Sequence, residues 1–122
     1  MRFGRTIRTV LLPNAPFAEV PVEKLLSYLL DASHELGRHK ARVVRSVGYD
    51  LHHLASLRAD LRALVLKNEA TLDSTSAFGV KWRVPGVLVG PNGRSLRVRT
   101  IWIIPASEFI PRFVTAFPTR QA

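Results

Sequence analysis

With 122 residues, 47% of them apolar and 22% charged, the chain has the length and composition of one ordinary globular domain able to bury a core. It has no cysteine, which excludes disulfides, thiolate metal sites and thiol nucleophiles, and it has no run of about 18 apolar residues that would span a bilayer. Its 18 Lys and Arg against nine Asp and Glu give a net charge of +9, an imbalance that calls for an anionic partner.

In chain order, Thr6 to Leu12 is a short apolar run ended by Pro13-Asn14, an edge strand or an ordered arm. The segment 1–20 is set apart as this arm, and 21–122 as one α+β domain, helical over 21–68 and sheet-forming over 69–118. Pro21 suits the first turn of a helix with apolar positions Val22, Leu25, Leu26, Leu29 and Leu30. Asp31 to His34 reads as a loop and Gly37 as a turn. A short helix is expected from His39 to Val47, with Ala41, Val44 and Val47 inward, ended by Gly48. Asp50 is a suitable N-cap for the longest helix, about Leu51 to Lys67, whose stripe is Leu51, Leu54, Leu57, Leu61, Leu64 and Val65.

Beyond Glu69 the periodicity changes from helical to alternating. Thr71 to Thr75 reads as a short strand, and Val80 to Val89 as a second, bent or ended early by Pro85-Gly86. Pro91-Asn92-Gly93 is a hairpin turn, with Asn-Gly expected to supply the positive φ angles. Arg94 to Ile104 is the best strand, alternating Leu96, Val98, Thr100, Trp102 and Ile104 with Arg97, Arg99, Ile101 and Ile103. Phe113 to Phe117 is the last. Helices followed by an antiparallel meander of about four strands is an α+β order. One sheet face should pack on the long helix, leaving the other, with Arg97 and Arg99, partly open.

The charge is uneven. Residues 1–45 hold eight Lys and Arg against four acids, residues 77–122 seven against one, and residues 46–76 three against four. The densest cluster runs from Gly37 to Arg42, with Arg45 one turn on: four cations and His39 within nine residues. A cationic face beside a group that titrates near neutrality suits a phosphodiester, for binding or for cleavage. Metal-independent RNA cleavage needs a base near the 2′-hydroxyl, a cation for the phosphate and an acid for the leaving 5′-oxygen. His39, Lys40, Arg38, Arg42, Arg97, Arg99 and Arg112 supply such groups, with Thr100 or Thr115 as hydrogen-bond partners. Plainer roles exist for each: a solvated helix start for residues 38–42, strand protection for Arg97 and Arg99, and core packing for Trp82 and Trp102.

No metal site or cofactor is expected. There is no His-x-x-x-His spacing, and the adjacent His52 and His53 point about 100° apart on a helix. Gly90 to Gly93 lacks the Gly-Lys-Ser/Thr ending of a phosphate loop. Arg45 and His52 match the spacing of a helical ribonuclease signature, but Gly48 and Asp50 break the helix inside it. The start of the chain makes a poor signal peptide, and with no cysteine a cytoplasmic setting is expected.

The chain also resembles an uncharacterised family of small bacterial domains. The matching residues are Leu12 to Ala15, Lys24 with Tyr28 to Leu30, His34, Gly37 to Arg42, Gly90 to Arg94, Thr100 to Ile103, and Pro111 to Pro118. Such domains occur alone and as tails of large secreted toxins, often encoded beside a small antitoxin-like protein. The order of elements is similar to the barnase–EndoU–colicin–RelE group of metal-independent ribonucleases, which often places an active-site hydroxyl on a late strand, here Thr115. In the family, position 39 is often small, which moves the weight from His39 to Lys40.

The resemblance implies a toxin-type endoribonuclease acting on RNA, with a small acidic antitoxin or immunity protein as partner. Lys40, helped by His39, would move the proton; Arg97, Arg99 and Arg112 would stabilise the phosphorane; Thr115 would orient the phosphate; Arg38 and Arg42 would hold the backbone. The alternatives are a non-catalytic nucleic-acid binder and a protein-interaction module such as an immunity protein.

Overall fold

The computed structural model describes residues 10–30 and 42–119. It shows an α+β architecture: α1 (Val22–Leu30), a helical segment over residues 42–46 (α2), α3 (Leu54–Lys67), then four antiparallel strands. These are β1 (Thr71–Ser76), β2 (Gly79–Val89), β3 (Ser95–Pro105) and β4 (Arg112–Pro118), forming one meander in the order β1-β2-β3-β4. The expected edge strand over Thr6 to Leu12 falls mostly outside the described residues. Residues 10–12 form no strand, although the Val10 carbonyl accepts from the Ala70 amide at 2.6 Å.

The long helix starts as its sequence dictates. Asp50 accepts the His52 amide at 2.9 Å and the His53 Nδ1 hydrogen bond at 2.7 Å, capping a 3₁₀ turn (Leu51–His53) that runs into α3. Leu57, Leu61, Leu64 and Val65 are buried as the stripe predicts, whereas Leu51, in the 3₁₀ turn, is exposed. Each such side chain, removed from water, contributes on the order of 1.5–3 kcal/mol. The helix crosses the sheet at Gly86, where an added Cβ would lie 2.6 Å from Leu64 Cγ.

The sheet face under α3 presents Val84, Leu88, Val98, Thr100, Trp102, Phe113 and Ala116, all buried. Trp102 packs edge-to-face on Phe113, with centroids 5.4 Å apart. Its indole N–H donates to Thr100 Oγ1 at 2.8 Å, and the Thr100 hydroxyl donates to the Val84 carbonyl at 2.6 Å. Thr100 is therefore a core residue whose polar group is fully employed, not a ligand for a phosphate.

Tyr49, also buried, ties three elements together. Its hydroxyl donates to the Asp60 carboxylate on α3 at 2.5 Å and lies 3.2 Å from the Val89 carbonyl at the end of β2. Val44 and Val47 are buried, as expected of α2, and Gly48 ends the segment at φ 103°. The β2–β3 turn is clamped there: Asn92 donates through its side chain to the Ser46 carbonyl at 3.0 Å and through its amide to that of Val47 at 3.3 Å.

Two local expectations are corrected. Pro85-Gly86 does not interrupt β2, because β1 ends opposite Arg83 and Pro85 sits where β2 has a partner on one side only. In the turn, only Gly93 takes a positive φ, 85°. The Gly93 amide bonds back to the Gly90 carbonyl at 2.9 Å, so Pro91 and Asn92 are the central residues of a four-residue turn of the kind Pro favours at its second position.

Candidate functional site

Antiparallel pairing puts partners on the same face, so the register defines what lies opposite the helices. Lys81 pairs with Ile103, Arg83 with Ile101, Pro85 with Arg99 and Val87 with Arg97. On the other side of β3, Arg99 pairs with Phe117 and Ile101 with Thr115. The face not covered by α3 thus carries Lys81, Arg83, Arg97, Arg99, Arg112 and Thr115 among its groups suited to a phosphate.

Four of them line one depression of about 350 Å³, namely Lys81, Arg83, Arg99 and Thr115, together with Asp73. Its floor is apolar, from Ile101, Val114 and Phe117. Ile101, on this face, is only 9% exposed. Three cations against one carboxylate make the depression electropositive. Asp73 Oδ1 lies 3.7 Å from Arg83 Nη1, and the Arg99 guanidinium stands 5.9 Å from the Phe117 ring centroid, a contact that steadies a cation on a sheet surface.

Two β-bulges shape this site. In β1 the register shifts between Leu72 and Ser74, at Asp73; in β4 the pairing passes from Ile101↔Thr115 to Trp102↔Phe113, leaving Val114 extra. Both bulged residues line the depression. The β4 bulge is decisive for Thr115. Strict alternation would put Thr115 on the same face as Phe113, in the core, whereas the extra residue buries Phe113 and Ala116 and turns Thr115 to the open face.

The remaining expected site residues are placed differently. Arg38, His39 and Lys40 lie outside the described residues. Arg42 is exposed at the start of the described part of α2 and lines neither this depression nor the next. Arg97 is exposed two residues from Arg99, toward the β2–β3 turn, and does not line the depression. Arg112 opens onto a separate groove between α1 and β4, with its Nε 3.4 Å from Glu19 Oε1. It was expected to share a cleft with Thr115; the bulge brings the two onto one face, paired with Ile103 and Ile101, but they line different depressions. Lys81, Arg83 and Asp73 were not anticipated. The first two were legible, since Val80, Trp82 and Val84 alternate with them.

Among the described residues, no group of three or more His, Asp or Glu is gathered as metal ligands would be, and no helix is long and apolar enough to cross a membrane.

The sequence profile described as Domain of unknown function (DUF6883) matches residues 11–120. A search of curated proteins finds no match. Among solved structures, the fold is similar to a chain from a contact-dependent growth inhibition toxin–immunity protein complex from Klebsiella pneumoniae 342. The TM-score is 0.62 at 18% identity, over 88% of this chain and 98% of that one.

Proposed function

The chain belongs to the DUF6883 family, and from that premise we propose that it is the toxin of a toxin–antitoxin or polymorphic-toxin system, acting as a metal-independent endoribonuclease. The observation that carries the reading is the depression on the open sheet face, where Lys81, Arg83, Arg99 and Thr115 converge over an apolar floor. The similarity in fold to a chain from a toxin–immunity complex supports the toxin role and an immunity-type partner, and the net charge of +9 suits a partner of acidic character.

In this reaction the RNA 2′-oxygen attacks the adjacent phosphorus, loses its proton to a base, and forms the O2′–P bond as the P–O5′ bond breaks. The departing O5′ takes a proton from an acid, leaving a 2′,3′-cyclic phosphate and a 5′-hydroxyl. Arg83 and Arg99 neutralise the charge that develops on the phosphorane, and Thr115 donates to a non-bridging oxygen. Lys81 and Lys40, the latter with His39, are the groups assigned to proton transfer.

The test is incubation of the purified protein with total RNA and with tRNA in excess chelator, alongside induction in growing cells. Cleavage to products with 2′,3′-cyclic ends, together with growth arrest, is the expected result. Intact RNA and unaffected growth would overturn the reading. Cleavage that vanishes in Lys40→Ala or Lys81→Ala identifies the proton-transfer lysine. RNA binding that persists without cleavage would instead support the non-catalytic binder.

A further inference from the structure

The second groove adjoins the first. It encloses about 460 Å³ between α1 and β4, within the range of small-ligand sites. Val114, the bulged residue of β4, lines both cavities, so the two depressions meet across one side chain. The chemistry of the groove differs from that of its neighbour. Ile103, Phe113 and Val114 give it an apolar wall, and the Phe113 ring is held in place from behind by Trp102. Around this wall stand Glu23, Lys24 and Ser27 of α1 and Arg112 of β4.

Glu23, with Glu19 3.4 Å from Arg112, balances the two cations of this groove, whereas the neighbouring depression sets three cations against Asp73 alone. A flat apolar wall rimmed by an acceptor, two cationic donors and a hydroxyl suits instead a planar heterocycle with donors and acceptors along its edge. We propose that this groove is a nucleobase subsite, which receives the base next to the phosphate held in the Arg83–Arg99 depression. Its role as a specificity pocket rests on the ribonuclease reading; its ability to hold a nucleotide does not. Glu23 accepts from ring and exocyclic N–H groups, while Lys24 and Arg112 donate to ring nitrogen and carbonyl oxygen. Guanine answers all of these demands, with N–H donors at N1 and N2 and acceptors at O6 and N7, whereas adenine lacks the ring N–H and the carbonyl and uracil lacks the exocyclic N–H and the ring-nitrogen acceptor.

The experiment is titration of the full chain with GMP, AMP, CMP and UMP, followed by NMR of the isoleucine and valine methyls and the backbone amides. The expected result is a shift of Ile103, Val114 and Ser27 together with Ile101 and Arg99, tightest for GMP. Glu23→Gln should weaken GMP by about tenfold and UMP, which offers a single N–H, by less. Because Glu23 is exposed, this variant should fold as the parent does, and amide spectra check that directly. Shifts confined to Ile101, Arg99 and Phe117 would overturn the base subsite while leaving the phosphate depression intact. Shifts in neither cavity would overturn both. Shifts in both cavities from a protein that leaves RNA intact would keep the subsite and remove the ribonuclease reading. GMP affinity unchanged in Glu23→Gln would overturn the assignment of Glu23 and with it the proposed base selection.

Discussion

The two faces of the sheet use the same strands in opposite ways. Under α3, every polar atom of the Thr100–Trp102 pair is matched and the apolar side chains are buried. Across the same backbone, one residue away, Arg99 and Ile101 face a depression that holds three cations and one carboxylate. A fold under selection for stability alone has little reason to gather like charges over a shielded isoleucine, since surface ion pairs add little and like charges repel. On the proposed reading, stability rests on one face and function on the other, and the contrast can be broken from either side.

The largest expected effect is on the packed face. Trp102→Ala removes the most deeply buried large ring and should cost about 3–5 kcal/mol in urea unfolding. A smaller loss would mean that the sheet is not held by this core. Tyr49→Phe, at the junction of α2, α3 and β2, removes the donor to Asp60 and should cost about 1.5–3 kcal/mol. Burial first, then the hydrogen bond and the charge of Asp60, pushes the Tyr49 hydroxyl far above its ordinary pKa of 10.0. Because the folded value is raised, that contribution is complete below about pH 10 and is lost only as pH rises further, which Tyr49→Phe should abolish.

Smaller effects separate residues within the open face. Arg97 lies outside the depression, so Arg97→Ala should lower the log–log salt dependence of single-stranded RNA binding by about 0.7 and leave the cleavage step itself in place. A loss of cleavage equal to that of Arg99→Ala would extend the site toward the β2–β3 turn. The smallest effect concerns Asp50. Its hydrogen bond from the His53 ring, ahead of the His52 amide, holds its carboxyl below the usual 3.8. A lowered folded value stabilises above the unfolded pKa, and this is lost as pH falls through the folded one. Asp50→Ala should therefore lower the thermal midpoint slightly at neutral pH, and the difference from the parent should shrink as pH falls below the usual carboxylate range.

Much of this arrangement was legible in the sequence. The period-2 pattern of residues 96–104 assigned both faces of β3, and the apolar stripe of α3 identified the side that it covers. The alternation of Val80, Trp82 and Val84 with Lys81 and Arg83 held the same information for β2, but the cluster at Gly37 to Arg42 is the denser signal in sequence. What pattern could not supply was the pair of bulges. An extra residue at Val114 reverses the alternation after Phe113, and only then does Thr115 leave the core for the face that carries Arg112. A bulge is fixed by how two strands pair across the sheet, not by either strand's own pattern. The β2–β3 turn teaches the same lesson, because Asn92 is committed to carbonyls of α2 that are distant in sequence.

The account turns on the claim that the open face is functional and not merely solvated. The most direct test measures Arg99→Ala twice, by urea unfolding and by RNA cleavage. The prediction is stability within about 0.5 kcal/mol of the parent and cleavage lower by about 10²–10³-fold. Stability lost together with activity, or cleavage left at the parent's rate, would contradict it.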